Sequence, residues 1–463
     1  MKEVDLAIIG GGAAGMAAAV SARKKGIQNI LILERNSSLG GVLQQCIHNG
    51  FGLHRFGEDL TGVEFAAKYE DMVREMQIPC LLNTFVINLG PDKTITAVSP
   101  DEGLLEIRAR SIILAMGCRE RSRNALLIPG ARGAGIMTAG TAQRWLNLEG
   151  YLPGRRIVIV GSGDIGLIMA RQFILEGCEV AAVVEIMPYS GGLPRNMKQC
   201  IEDFDIPVYY NSVIAEVRGK ERVSSVLVAK VDQNRRLIPG TEFEIPCDTL
   251  LISAGLIPEN ELTEQAGITL SPATKGAEVS ETLETSIPGI FSCGNVLHVH
   301  DLVDFVSEEA EEAGKNAADW LNAGNDARTN AADWLNAGNG ARTNAADQTA
   351  ASDSAGKNAA DQMKDSDSAA PAPEKLPDTI PAISGDGVGG IVPQFVRRDT
   401  DKKEISFLFR PRNRCRDAVI TASSGSDEIH RQKAIALTPG EMCRVTIPVE
   451  KIRAASEIRF SIQ

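Results

Sequence analysis

Short strand-like apolar runs alternate with stretches of helical spacing through the first part of this chain. Asp5–Ile9 and Ile30–Leu33 are apolar runs of strand formers, and the residues between them predict a helix over Ala13–Lys25 with Gly26 as its cap. The turn leaving the first strand, Gly10-Gly11-Gly12-Ala13-Ala14-Gly15, has the G-x-G-x-x-G spacing of a dinucleotide-binding turn. The arrangement recurs. Arg156–Val160 reads as a strand, Gly161-Ser162-Gly163-Asp164-Ile165-Gly166 follows, a helix runs to Leu175 with Gly177 as cap, and Glu179–Val184 supplies the next strand.

The chemistry explains the glycines. The first lets the chain turn sharply, the second leaves room for a pyrophosphate against the backbone, and the third lets the helix sit close to the sheet. The helix N-terminus then aims free N–H groups and a partial positive charge at the phosphates. Each second strand ends in an acid, Glu34 or Glu185, 19 residues past the third glycine and placed for a ribose hydroxyl. No arginine follows Glu185 until Arg195, so no neighbour along the chain awaits a 2′-phosphate, and NAD is expected rather than NADP.

Other elements extend both units. Leu39-Gly40-Gly41-Val42 would bring backbone close to a cofactor, and the polar run Gln44–Gly50 follows it. A helix is expected over Glu58–Met76, with strands over Cys80–Ile87, Thr94–Val98, Leu104–Arg108 and Ile112–Gly117. Further strands are expected near Val208 and Val213 and over Val223–Val231 and Thr249–Gly255. Pro288–Asn295 gives another strand and glycine turn before a helix over Leu302–Leu321.

Composition narrows the function. At 463 residues, two to four domains are expected. A formal charge of −12, with no basic run, argues against nucleic acid or an anionic membrane as partner. No apolar stretch approaches the ~20 residues of a membrane span, and the first residues enter a strand without a leader pattern. A cytoplasmic protein is the expectation. The nine cysteines are widely spread without a C-x-x-C pair, which argues against a disulfide scaffold, a zinc site or an iron–sulfur cluster, and no metal site is expected.

The order of these motifs over about residues 3–322 resembles the pyridine nucleotide-disulfide oxidoreductase superfamily, flavoproteins with two dinucleotide-binding domains. The resemblance implies FAD on the first fingerprint and NAD(H) on the second. It assigns Gly10, Gly12, Gly15, Glu34, Gly41, Gly117, Gly294 and Asn295 to FAD, and Gly161, Gly163, Gly166 and Glu185 to NAD(H). Two departures stand out: Asn295 replaces the usual aspartate of the late glycine turn, and the redox-active cysteine positions are Leu43 and His48. A dithiol relay is therefore not expected. His48 is the candidate catalytic residue, tuning the flavin by a hydrogen bond, with His298 and His300 as rivals. Gly40–Leu53, Leu297–Val306 and Pro439-Gly440-Glu441-Met442 resemble the companion flavoprotein subunits of amine- and glycerol-3-phosphate-oxidising dehydrogenases, a subgroup that includes opine oxidase and hydrogen cyanide synthase.

The expected fold is α/β, with two doubly wound, Rossmann-like domains, then a low-complexity linker and a small all-β domain. The boundaries are 1–120 with 257–322 for FAD, 121–256 for NAD(H), 323–378 for the linker and 379–463 for the β domain. The linker repeats Asn316–Asn325 at Asn330–Asn339, but the units are too short and polar to stack as a solenoid. With no disulfide, cluster or anchor to accept electrons, the expected partner is a second flavoprotein subunit or another external electron carrier, met through the β domain. The alternatives are a self-contained NADH oxidase or reductase and a non-catalytic FAD/NAD-binding sensor.

Overall fold

The computed structural model describes residues 1–324 and 378–463; the repeats beyond the first copy, and most of the expected linker, lie outside them. Lys2–Ile9 is the axis of the first sheet. It pairs in parallel with Ile30–Leu33 on one side and Gly103–Leu114 on the other, and all four residues of Ile30–Leu33 are buried, as expected for a strand covered on both faces. Cys80–Leu81 extends the parallel side, while Thr94–Ser99 and Phe85–Leu89 add an antiparallel meander.

Gly103–Leu114 corrects one reading: the strands expected at Leu104–Arg108 and Ile112–Gly117 are one continuous strand ending at Leu114. Its first half pairs with the meander and its second with Lys2–Ile9 and Ile290–Ser292. The polar residues that broke the apolar pattern have partners here, since Arg110 pairs with Asp5 and the Ser111 hydroxyl donates to the Gly289 carbonyl. The run Cys80–Ile87 errs the other way. Asn83, at φ +49°, bends it into two strands. The helix expected from Glu58 starts at Gly62, because Thr61 and Glu64 close a reciprocal capping box there.

The second sheet is all parallel, in the order Ile136–Thr138, Thr249–Ile252, Arg156–Val160, Glu179–Val184, Val208–Tyr209. A separate antiparallel sheet, Ser212–Gly219, Val223–Lys230 and Phe243–Pro246, packs behind it. The chain passes between the first and second sheets on a two-stranded ribbon, Cys118–Glu120 against Leu256–Pro258. The helix Val303–Asn322 returns to pack on the helix Ala13–Lys24, where a Cβ on Gly314 would lie 2.3 Å from the Ala18 carbonyl oxygen.

Residues 379–463 form two further sheets that bury Phe407, Phe409 and Phe460 in one core. This β-module packs on its own chain. Gln394 exchanges hydrogen bonds with the Val279 backbone, Arg397 pairs with the fully buried Glu281 carboxylate, and Arg410 pairs with Asp301. Part of the surface expected to meet a partner is thus already used, because burying these carboxylates requires the module's arginines. Among the described residues no helix is long and apolar enough to cross a membrane.

Candidate functional site

Both glycine turns are built alike. Gly10 (φ +107°) and Gly161 (φ +92°) turn the chain where a Cβ would lie 2.3 and 2.2 Å from the carbonyl oxygens of Ala115 and Ser253. Gly15 would put a Cβ 1.8 Å from the Gly10 oxygen, and Gly166 one 2.9 Å from Ser253. The middle glycines differ from these. A Cβ on Gly12 meets nothing nearer than the Gly41 Cα at 4.0 Å, and one on Gly163 nothing nearer than 3.7 Å. These are the positions at which a pyrophosphate needs room. Neither following helix has a side-chain cap, so the N–H groups of Ala13–Lys24 and Asp164–Leu175 keep their first turns available to phosphate oxygens.

The two terminal acids are held the same way. Glu34 accepts from Gly11 N at 2.7 Å through one oxygen and from Asn36 N at 2.8 Å through the other. Glu185 accepts from Ser162 N and Met187 N, both at 2.8 Å. Each buried carboxylate is thereby fixed beside its own turn with lone pairs left over. The likeness goes further than the sequence reading did. Six residues past each acid stands a glycine pair, Gly40-Gly41 and Gly191-Gly192, and each folds back on its turn: Gly40 N donates to the Gly11 oxygen and Gly191 N to the Ser162 hydroxyl.

Gly117 (φ +75°) ends the passage out of the first sheet and accepts from Glu259 N, where the chain returns. Gly294 and Asn295 lie at the end of Ile290–Ser292. The Asn295 Oδ1 accepts from His300 N at 3.0 Å, and its amide nitrogen lies 3.7 Å from the Cys118 sulfur. His298 and His300 are drawn into this group by Glu309, which the sequence did not single out. Glu309 accepts from Gly294 N at 2.7 Å, and its other oxygen lies 2.8 Å from the His298 Nε2. Both histidines, acting on a buried carboxylate, hold it well below the usual range. Asp304, also overlooked, is buried and accepts from the N–H groups of Gly52, His54 and Arg55. The signal for Glu309 was its register, beside the buried stripe Val306, Ala310 and Ala313 of its helix.

His48 sits apart from that group. It is half-buried, with its ring 5.1 Å from Phe51, and burial followed by Arg195 and Arg171 lowers its pKa. The polar run around it joins the two units: the Gln45 side chain donates to the Gly140 carbonyl, and Asn147 donates to the Gln45 carbonyl. A groove of about 310 Å³, lined by Arg123, Thr138 and Ile252 among others, opens at the ends of the second sheet's strands. All nine cysteines are free. Burial pushes the Cys46 thiol up to about 12 and Cys118 to about 11, so neither is a ready nucleophile.

The pyridine nucleotide-disulphide oxidoreductase profile matches residues 4–319. The chain belongs to that family. Among curated relatives, it is 28% identical over 315 residues to hydrogen cyanide synthase subunit HcnB of Pseudomonas aeruginosa, covering 62% of this chain and 65% of that one. It is 25% identical over 288 residues to an opine oxidase subunit of Agrobacterium tumefaciens, covering 58% and 55%. The chain thus spans less than two thirds of the length of these relatives. Thioredoxin reductase of T. acidophilum shares the fold, with a TM-score of 0.56, 23% identity, and 69% of this chain and 98% of that one covered.

Family membership brings FAD and a pyridine nucleotide as cofactors, and the open cradles at Gly12 and Gly163 fit two such groups. Beside Asn295, the Glu309 carboxylate is bound to the neighbouring Gly294 N–H. An uncharged Asn295 avoids a second carboxylate beside it.

Proposed function

We propose that this chain passes a hydride between NAD(H) and FAD and exchanges the electrons with a second flavoprotein, a partner that oxidises an amine or a polyol phosphate. The supporting observation is the pair of matching turns, each with its anchored acid and glycine pair, in a chain whose cysteines are all unpaired. FAD would supply the two-electron centre, and the nicotinamide the hydride.

The side chains bind and orient. Gly12 and Gly163 leave space for pyrophosphates, and the helix starts at Ala13 and Asp164 offer them N–H groups. Glu34 and Glu185, oriented in advance by two backbone donors each, receive ribose hydroxyls. Gly41, Gly117, Gly294 and Asn295 line the first cofactor's path. His48, its pKa lowered by burial and then by Arg195 and Arg171, would tune the reduced flavin by a hydrogen bond.

The preference for NAD now has a counterweight that the linear sequence hid. Folding brings Arg414 to 4.3 Å over the Tyr189 ring and Arg235 to 3.6 Å from the Met187 sulfur, both on the loop after Glu185. NAD remains the proposal because a carboxylate anchored beside the turn, as Glu185 is, suits a ribose hydroxyl and would repel a 2′-phosphate. Anaerobic titration with NADH and NADPH tests this. Rapid bleaching of the flavin by NADH is expected; tight binding without bleaching would make the chain a sensor, and preferential bleaching by NADPH would reverse the cofactor choice. Pull-down from the native source should recover a second flavoprotein, whereas full-rate turnover of NADH with oxygen by the isolated chain would overturn the partner. Replacing His48 with Ala should slow flavin reduction or shift its potential; an unchanged rate and potential would remove His48 from the site.

A further inference from the structure

His298, His300 and Glu309 meet in the interior, each side chain less than one tenth exposed. One ligand-type atom from each lies within 4.8 Å of the other two. The Glu309 Oε2 is 2.8 Å from the His298 Nε2 and 3.3 Å from the His300 Nε2. Donors bound to one metal at about 2.0–2.2 Å stand roughly 3.0–3.4 Å apart; the His300 separation falls in that range and the His298 separation would open by a few tenths of an ångström to admit an ion.

The protons sharpen the case. The His300 Nδ1 faces two acceptors, the His298 carbonyl at 3.0 Å and the Asn295 Oδ1 at 3.3 Å, so Nδ1 carries the proton. The buried Nε2 on the other side of the ring stands 3.3 Å from the Glu309 carboxylate without a hydrogen-bond partner. A ring nitrogen facing a carboxylate in the interior calls for a cation between them, a proton or a metal ion. The surroundings suit one. The carbonyl and amide that fix His300 are the outer contacts that orient a metal-binding imidazole, and Gly294 N–H anchors the other Glu309 oxygen.

We propose that His298 Nε2, His300 Nε2 and Glu309 Oε2 bind a divalent transition cation of the zinc, manganese or iron class. Two imidazoles and one carboxylate select such metals over calcium or magnesium, and three protein ligands leave a coordination position open. The ion would neutralise Glu309 and hold the Gly294–His300 loop to the helix Val303–Asn322. The proposal does not depend on the assigned redox reaction.

The test uses the full-length flavoprotein, stripped with EDTA, given one equivalent of Zn²⁺ or Co²⁺, and desalted before elemental analysis. About one ion per chain should remain. His300→Gln should keep its FAD yet bind the ion roughly 100-fold more weakly or worse. X-ray absorption of the zinc-loaded wild type decides the matter even where a variant folds poorly: nitrogen and oxygen neighbours at about 2.0–2.1 Å with imidazole scattering support the site, and sulfur neighbours overturn it. Failure of the wild type to retain any ion, or equal retention by a folded His300→Gln, also overturns it and leaves a proton as the cation between His300 and Glu309.

Discussion

The two glycine turns share spacing, acid and glycine pair, yet their helices live in different surroundings. Ten of the twelve residues of Ala13–Lys24 are buried, against five of the twelve in Asp164–Leu175. The first helix lies between its sheet and the returning helix Val303–Asn322, with alanines and Gly314 permitting close approach. Its turn is uncharged. The second has Asp164 in its first helical turn, with the carboxylate directed to Leu193 N and Asn196, and one face of the helix is left uncovered. The same local motif thus starts one helix that is almost wholly buried and one that is buried over less than half its length.

The sharpest way to break this contrast is to add one methyl group to each turn. Gly15→Ala places a Cβ against the rigid backbone of Gly10 and should cost about 3 kcal/mol, with the flavin lost on purification. Gly166→Ala meets mainly the Ser253 side chain and should cost about 1 kcal/mol, with flavin retained. Thermal unfolding and the flavin spectrum report both; equal losses would show that the turns are equally confined. The β-module should show the same imbalance. Arg397→Ala strips a partner from the buried Glu281 and should cost about 2 kcal/mol in denaturant unfolding, whereas Arg414→Ala, losing an exposed stack on Tyr189, should cost about 0.5 kcal/mol.

The anchored acids offer a subtler cut. Glu185→Gln sets an amide donor against the N–H groups of Ser162 or Met187 and should weaken NADH binding by about tenfold, while the bound flavin stays put. Glu34→Gln should instead lower flavin retention. A pH-dependent effect belongs to the connection between the units. Burial raises the pKa of Glu120, which accepts from Gly140 N. A carboxyl raised in the folded state carries no penalty below the unfolded pKa of about 4.3 and loses stability as pH rises through its folded value. Glu120→Gln should therefore match the wild type at acid pH and be the more stable of the two at neutral pH. A gain that persists below pH 4 would assign the effect to something other than ionisation.

Much of this was legible in the sequence because it depends on neighbours along the chain. Glycine spacing, strand–turn–helix order and the acid 19 residues on are local, and steric limits on the backbone turn them into the same geometry twice. Thr61 and Glu64 likewise fix a helix start that the apolar pattern alone placed too early. What the chain order could not reveal is who meets whom across it. The joining of two apparent strands into Gly103–Leu114 waited on Asp5 and Gly289, which supply partners for Arg110 and Ser111. Glu309 looked like one acid among several on a helix, and only packing beside Gly294, His298 and His300 gives its charge a place. Arg235 and Arg414 reach the loop after Glu185 from positions 50 and 229 residues further on, counting from that acid. Local backbone sterics can be read in one dimension; burial and the pairing of charges are properties of three, and tertiary structure decided them.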